Sequence, residues 1–293
     1  MLSAVTSINF LSADNFEPAV RADLLNVAYA DYYVPMHLTP DSMRSVDELY
    51  DVDLARSLVA QARGEPVGMV LLSRRGERGW ISGVGVVPAW RQRGIGRAMM
   101  ESVLDNAREA GIAQVALEVI TQNAAARALY AGLGFAEHRE LLCWRRAADA
   151  DVLPIPEERL VAASVQDLLA YSGAWHDQPP CWQGEATTLR KMADRLRGYR
   201  LDVAGAAVGY CLTNENGESL VMLDVGINPQ AGAVTAGRTL LQALAAIQRG
   251  RTFALNNVPV DSGLNRALAA LHFLVGIRQF EMRIGLTRTA AAA

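Results

Sequence analysis

The chain has 293 residues, of which 51% are hydrophobic and 20% are charged, and this globular composition and length favour two domains of moderate size. The net charge of −3 provides no basic field, which argues against nucleic acid as a partner. Three scattered cysteines, at positions 143, 181 and 211, indicate reduced thiols, and four histidines without ligand spacing predict no metal site.

The start of the chain, MLSAVTSINF, lacks the basic segment and long apolar core of a secretion signal. No apolar run reaches the roughly 20 residues that a membrane-spanning helix needs. We therefore expect a cytoplasmic protein without a membrane partner.

Residues 1–148 have the pattern of a mixed α/β domain. A short strand, INFLSA, precedes a helix in 15–33 and a second helix in 41–50 capped by Asp41 or Ser42. Alternation in 55–88 predicts three antiparallel strands with turns at 64–66 and 75–78. A helix then opens at 91–96 and closes near Gly111, and a strand (113–120), a helix capped by Asn123 (123–133) and a strand (141–146) follow.

The same order of elements returns after a stretch rich in alanine, aspartate and proline, which predicts a linker at 149–158. Hairpin strands in 199–229 precede a helix, a strand, another helix and a last strand. Pro88 and Pro229 stand 141 positions apart (229 − 88), and the same offset places Gly96 on Gly237. We therefore predict two tandem domains of one α/β fold, 1–148 and 159–293.

The segment RQRGIGRAMM joins a predicted strand to a predicted helix. Free N–H groups at a helix start bind anions, glycines remove the Cβ atoms that would block a phosphate, and arginines add charge-assisted hydrogen bonds. The spacing Arg91-x-x-Gly94-x-Gly96 therefore predicts a phosphate-binding turn, and the alternative is an ordinary glycine-containing turn with solvated arginines. A Rossmann dinucleotide site fits poorly, because only G-x-G is present.

Together with the downstream NAAARALYAGLGF, this turn resembles the GNAT superfamily of acyl-CoA-dependent N-acyltransferases, closely over 80–146. The motif (Q/R)-x-x-G-x-(G/A) is filled in full, and so is N-x-x-A-x-x-L-Y-x-x-x-G-F from Asn123 to Phe135. The tandem layout is similar to that of the mycothiol synthase family. In that family the C-terminal domain is the active one, whereas here the intact motifs are N-terminal.

The resemblance implies acetyl-CoA as the acyl donor and no metal. Its pyrophosphate would lie on the turn, and its pantetheine arm would enter as an added strand between the separated strands that contain 84–87 and 116–119. A backbone N–H near Val86 or Val87 would stabilise charge on the thioester oxygen. The residues implied to contact the donor are Val86, Val87, Arg91, Gln92, Arg93, Gly94, Ile95, Gly96, Arg97, Asn123 and Tyr130.

The resemblance also implies that Tyr130 is the general acid that protonates the leaving sulfur. The alternative is an aromatic residue on an apolar helix face. Glu118 is the candidate base, acting through a water, or else a strand carboxylate paired with a surface arginine. Asp51 and Asp53 are weaker candidates, and an acceptor amine of low pKa would need no base.

Two segments are candidates for the acceptor site. In 31–43, the side chains of Tyr32, Tyr33 and Met36 offer an apolar wall. In 172–189, Trp175, His176 and Trp182 either line an acceptor cleft or close the second core.

The second domain is predicted to be degenerate, because the offset places Arg91 on Gly232 and Gly94 on Thr235. It would serve as a structural or acceptor-site domain. The predicted function is an N-acetyltransferase that moves an acetyl group to a primary amine of a small molecule, in a monomer or homodimer. The alternative is a non-catalytic acyl-CoA-binding or regulatory protein.

Overall fold

The computed structural model describes residues 7–148, 150 and 156–286. Of the predicted linker, positions 149 and 151–155 lie outside the described residues. The described chain divides into two compact units. Unit 1 comprises 7–119, 123–138 and 281–286, and unit 2 comprises 120–122 and the described part of 139–280.

Unit 1 is an α/β unit built mainly from the first half of the chain. Its strands are β1 (Ile8–Ser12), β2 (Leu58–Ala62), β3 (Glu65–Arg75), β4 (Arg78–Val86) and β5 (Gln114–Ile120). Its helices are α1 (Pro18–Ala28), α2 (Pro40–Leu49), α3 (Ile95–Glu109) and α4 (Ala124–Ala131). The first four strands pair antiparallel in chain order, and β5 lies parallel to β4.

The starts of α1 and α2 follow from their prolines, which occupy the first helical position, where no N–H is needed. The hydroxyl of Thr39 accepts from the Ser42 N–H in a capping box. The prediction that Asp41 or Ser42 caps α2 is therefore wrong, because Pro40 is already helical and the cap precedes it. The helix predicted over 15–33 is also shorter, since it begins at Pro18 and ends at Ala28.

The apolar face of α3 anchors the helix that follows the predicted phosphate turn. Met99, Met100 and Val103 are completely buried. Burial of each such side chain contributes about 1.5–3 kcal/mol, so the start of α3 is fixed by its own core.

Unit 2 repeats this architecture with β6 (Ala136–Arg146), β7 (Leu160–Ala162), β8 (Arg197–Val203), β9 (Ala206–Asn216), β10 (Ser219–Ile227), β11 (Thr252–Pro259) and β12 (Leu274–Gly285). Its helices are α5 (Val165–Leu169), α6 (Ala186–Lys191), α7 (Ala233–Ile247) and α8 (Leu264–Ala270). Strands β7 to β10 pair antiparallel in chain order, and β11 lies parallel to β10.

The compact units differ from the predicted boundary at 148, because the end of each half lies in the other unit. Strand β6 pairs antiparallel with β11, with Trp144 opposite Leu255, so residues 139–148 belong to unit 2. The end of β12 belongs to unit 1, where the N–H of Leu286 donates to the carbonyl of Ala113 at 2.8 Å. Pairing between residues so far apart in the chain leaves no local pattern from which to predict it.

The repeat extends to irregularities of the strands. A register shift bulges β4 at Ser82, and a second shift bulges β10 at Leu223, 141 positions later. At the same offset, the hydrogen bond from Val87 N to Val67 O (2.9 Å) recurs from Asn228 N to Val208 O (2.9 Å). The prediction of two tandem α/β folds is confirmed.

Three further features bear on function. Among the described helices, none combines the length and apolar character required to cross a membrane. Within the described residues, no cluster of histidine, cysteine, aspartate and glutamate side chains could hold a metal ion. The three cysteines are buried, and none of them forms a disulfide within the described residues.

Candidate active site

A gap opens between β4 and β5 of unit 1. The two parallel strands are paired only from Arg78 opposite Gln114 to Trp80 opposite Ala116. Beyond this point β4 continues to Val86 and β5 to Ile120 without pairing to each other. The second half of β4 therefore offers backbone groups that no neighbouring β5 residue satisfies.

Strand geometry decides which residues of β4 face this gap. The N–H of Val87 donates to Val67 on the hairpin partner at 2.9 Å, so Val87 faces away from the gap. Hydrogen-bonding directions alternate along an antiparallel strand, and Val84 and Val86 therefore face the gap. Of the two predicted donors to a thioester oxygen, only Val86 has its N–H on the correct side.

Tyr29, at the end of α1, occupies the gap beside Val84. Its hydroxyl donates to the Val84 carbonyl at 2.9 Å and accepts from the Val84 N–H at 3.2 Å. Gly85 permits this approach, because an added Cβ would lie 2.8 Å from the Cβ of Ala28. Burial raises the pKa of Tyr29 to about 12, so this hydroxyl remains protonated. Tyr29 belongs to no sequence motif and was not predicted as a site residue.

The predicted phosphate turn has the backbone of an anion-binding loop. Gln92 and Gly94 have left-handed φ angles of 60° and 78°, and Gly94 is the N-cap of α3. Turns with alternating left-handed residues point successive N–H groups into one concavity, which favours anions. In the described structure, Gln92, Arg93 and Gly94 donate no backbone–backbone hydrogen bond. The first-turn N–H groups of α3, from Ile95, Gly96 and Arg97, add to this donor set.

The Arg91 side chain links the turn to α1 and β4. Its Nη1 and Nη2 lie 2.6 and 2.7 Å from the two carboxylate oxygens of Asp31. Nη2 also donates to the Ala28 carbonyl (2.9 Å) and Nε to the Val86 carbonyl (3.1 Å). The hydrogen bond from Arg91 lowers the pKa of Asp31. Arg91 therefore differs from the expected free cation, because its guanidinium is already bound by protein groups.

The other two arginines of the turn are held more loosely. The Arg93 guanidinium stacks 4.7 Å from the centre of the Trp90 ring and donates to the Ala89 carbonyl at 3.2 Å. Arg97 Nη1 lies 3.4 Å from both a Glu101 carboxylate oxygen and a backbone carbonyl. These long contacts leave the charges of Arg93 and Arg97 available to an anion.

We expect Asp31→Asn to weaken binding of acetyl-CoA, the donor that the family resemblance implies, by roughly threefold, because the substitution loosens the link that holds the turn. Arg91→Ala should add little to this change, since the two side chains act as one unit. If Arg91 instead held a phosphate directly, Asp31→Asn would release its charge and tighten binding. Calorimetric titration measures whether the affinity for acetyl-CoA falls or rises. The matched control is Asp105→Asn, which breaks the exposed ion pair with Arg108 on α3.

Asn123 joins the predicted donor site to the predicted acceptor segment. Its side chain accepts from the Ala126 N–H at 3.2 Å, which confirms its role as the cap of α4. It is also hydrogen-bonded to the hydroxyl of Tyr32, whose pKa is raised by burial. Tyr33 and Met36 are 55% and 41% exposed, so the wall expected from this segment faces solvent in part.

Tyr130 is buried on α4, with 6% of its surface exposed, and its ring lies 6.0 Å from that of Phe135. Burial raises the pKa of Tyr130 well above its usual value, and the nearby Tyr29 and Tyr32 raise it further. Its hydroxyl is therefore protonated throughout the physiological range. A group in this state can donate a proton and cannot serve as a resting base.

Glu118 lies on β5 in an aromatic environment. Its carboxylate accepts from the Trp80 indole N–H at 2.7 Å, and the Trp80 ring meets the edge of Tyr50 at 5.5 Å. The two weaker base candidates are engaged in ion pairs, Asp51 with Arg75 at 2.7 Å and Asp53 with Arg56 at 3.0 Å.

Unit 2 lacks the left-handed turn. Helix α7 begins at Ala233, directly after its N-cap Gly232, so the positions offset from Gln92–Gly94 are already helical. The aromatic residues of 172–189 pack inward, since Trp182 is buried and Trp175 stacks on Tyr171 at 4.0 Å. These contacts support the alternative in which they close the second core.

Comparison with known proteins agrees with these features. The family model described as Acetyltransferase (GNAT) family matches residues 24–135. A ribosomal protein bS18 alanine N-acetyltransferase of Escherichia coli is 44% identical over 54 residues, 18% of this chain and 36% of that protein. A mycothiol acetyltransferase of Nocardia farcinica is 31% identical over 199 residues, 64% of this chain and 61% of that protein. The chain thus spans about a third of the first relative's length and less than two thirds of the second's.

Among solved structures, a tandem GNAT protein from the clavulanic acid biosynthesis pathway has a TM-score of 0.69 at 18% identity. The match covers 95% of this chain and 98% of that chain, so the likeness of fold extends over both halves. The stretch 24–135 contains the gap, the left-handed turn, Asn123 and Tyr130. The chain therefore has a tandem GNAT fold, and its residues 24–135 match the acetyltransferase (GNAT) family model.

Proposed function

We propose that the chain transfers an acetyl group from acetyl-CoA to a primary amine of a small molecule, by direct attack and without a covalent enzyme intermediate. The observation that carries this proposal is the gap beside β4, with the Val86 N–H facing it and the turn at 92–94 following it. The names of the relatives, a ribosomal protein alanine N-acetyltransferase and a mycothiol acetyltransferase, support the reaction class.

The donor set of unit 1 suits an acyl-CoA. The backbone N–H groups of the turn, with Arg93 and Arg97, would hold its phosphates, and the Val86 N–H would hold the thioester oxygen. The cap residue Asn123 would add a hydrogen bond to the bound acyl-CoA. Acetyl-CoA bound there would supply an activated acetyl group.

The proposed reaction uses one acid, for the leaving sulfur, and one base, for the attacking amine. The amine nitrogen bonds to the acyl carbon as the carbon–sulfur bond breaks. Tyr130 would give its proton to the sulfur, and the proton lost by the nitrogen would pass to Glu118 through a water. Tyr29 would act as a positioning residue, because it fixes Val84 two residues before Val86.

Product formation tests the proposal. The purified chain would be incubated with acetyl-CoA and a panel of primary amines that includes small amino compounds and peptides with free N-termini. Release of the CoA thiol together with an acetylated amine in the mass spectrum is the expected result. Binding of acetyl-CoA without product from any amine of either class would favour the non-catalytic alternative.

We expect Glu118→Gln to lower turnover by about 100-fold, at the low end for loss of a general base, while acetyl-CoA affinity stays unchanged. The amide keeps the shape of the side chain and an oxygen that can accept from Trp80. Initial rates at saturating acetyl-CoA measure the effect, and Glu109→Gln on the exposed end of α3 is the control. Unchanged turnover would mean that the amine reacts without a protein base.

A further inference from the structure

Unit 2 contains a gap equivalent to that of unit 1. Strands β10 and β11 are paired from Ser219 opposite Thr252 to Met222 opposite Leu255. Beyond this point β10 runs on to Ile227 and β11 to Pro259. The separation begins next to the Leu223 bulge, as that of β4 and β5 begins next to Ser82.

The backbone donor of this gap is taken by the chain itself. Asn228 donates across the hairpin to Val208, so Ile227 faces the gap, as Val86 does at the equivalent position of unit 1. The Ile227 N–H donates to the carbonyl of Trp175 at 2.9 Å. A peptide carbonyl thus stands where a thioester carbonyl is proposed to bind in unit 1.

We call residues 175–177 the strap. Two side chains of the strap itself, those of His176 and Asp177, also anchor it. His176 Nε2 lies 2.6 Å from Asp224 Oδ1 on β10, and the second Asp224 oxygen accepts from the Tyr210 hydroxyl at 2.7 Å. The Asp177 carboxylate accepts from the Gly263 N–H at 2.7 Å and from the Ser262 hydroxyl at 3.0 Å. The strap therefore runs from the open side of β10 to the start of α8.

Unit 1 differs at each of these points. Gly83 stands at the position equivalent to Asp224 (224 − 141), so β4 has no side chain at this position that could anchor a strap. The start of α4 is capped by Asn123 from within, whereas the residues before α8 are bound by Asp177 from the strap.

We propose that the strap is a built-in substitute for a ligand, which fills the gap of unit 2 with the chain's own backbone and carboxylate and thereby prevents acyl-CoA from binding there. The missing turn removes the phosphate site of unit 2, and the strap removes its carbonyl site. The strap fills the gap of unit 2 whether or not unit 1 transfers acetyl groups. Failure of the acetyl-transfer assay would therefore not contradict this proposal.

Residue-resolved amide hydrogen exchange on the full chain, with and without acetyl-CoA, tests the strap. Without acetyl-CoA, the Ile227 amide should exchange as slowly as that of Asn228, while the Val86 amide should exchange at least about tenfold faster than that of Val87. Acetyl-CoA should slow exchange at Val86 and leave Ile227 unchanged. Titration calorimetry should give one site per chain.

The double variant His176→Ala, Asp177→Ala removes both anchors of the strap. Exchange at Ile227 should accelerate by at least about tenfold, because three hydrogen bonds to carboxylates are lost. The Asn228 amide reports whether the hairpin stays folded, and the exposed neighbour Gln178→Ala is the matched control. Any of three results would overturn the proposal. The Ile227 amide could exchange as fast as that of Val86, its exchange rate could be unchanged in the double variant, or calorimetry could give two acetyl-CoA sites per chain.

Discussion

Gly94→Asp is expected to abolish acetyl-CoA binding, with a loss of affinity of at least about 100-fold, or about 2.7 kcal/mol. Two effects combine in this substitution. Gly94 has a φ of 78°, where a side chain costs about 1–2 kcal/mol. The added carboxylate would also lie among the N–H groups proposed to hold the phosphates, and its negative charge would repel the phosphates. Titration calorimetry on the full chain measures the affinity.

A matched substitution separates the two effects. Gly64→Asp introduces the same side chain at a φ of 84° in the turn between β2 and β3. An added Cβ at either glycine meets no atom within 4 Å, so both variants should fold. Gly64→Asp should bind acetyl-CoA as the unmodified chain does. Retention of binding by Gly94→Asp would refute the placement of the phosphates on this turn.

Tyr130→Phe is expected to lower turnover by about 10²–10⁴-fold with little change in acetyl-CoA affinity, as for loss of a general acid. The phenyl ring keeps the packing against Phe135 and removes only the hydroxyl. Because burial raises the pKa of Tyr130 far above its usual 10.0, turnover of the unmodified chain should show no alkaline loss with a midpoint near that value. Steady-state rates between neutral and alkaline pH, paired with calorimetry, measure both quantities.

The outcome for Tyr130 also distinguishes the two candidate functions. Equal weakening of binding and turnover would assign Tyr130 to packing or donor contact rather than to proton transfer. Tyr199→Phe, which removes a hydroxyl bonded to Glu215 in unit 2, is the control for loss of a tyrosine hydroxyl elsewhere. It should leave turnover unchanged.

The features predicted correctly from the sequence are those with a local cause. The glycine-containing turn before α3 and the cap at Asn123 each depend on residues within a few positions, and their spacing reveals them. The repeat was predicted from the order of elements, because each element is set by its own hydrophobic period. The cap of α2 was assigned wrongly to Asp41 or Ser42, because Pro40 can occupy the first helical position and therefore places the cap at Thr39.

Contacts within the site behave differently, because they join residues far apart in the chain. Tyr29 reaches Val84 across 55 positions, Arg91 reaches Asp31 across 60, and Trp80 reaches Glu118 across 38. No periodicity or motif links such pairs, since hydrogen bonds of this kind form only when packing brings two elements together.

The sequence by itself determined the tandem α/β architecture, and it shows the Arg91-x-x-Gly94-x-Gly96 motif in the first half and its loss from the second, because these features are local to the chain. Only the tertiary structure decided that Val86 rather than Val87 faces the gap, and that Arg91 serves as a link to α1. It also decided that the end of each half belongs to the other compact unit and that the Trp175 carbonyl accepts from the Ile227 N–H in unit 2. Each of these depends on strand pairing and direction, which are settled by packing between distant segments.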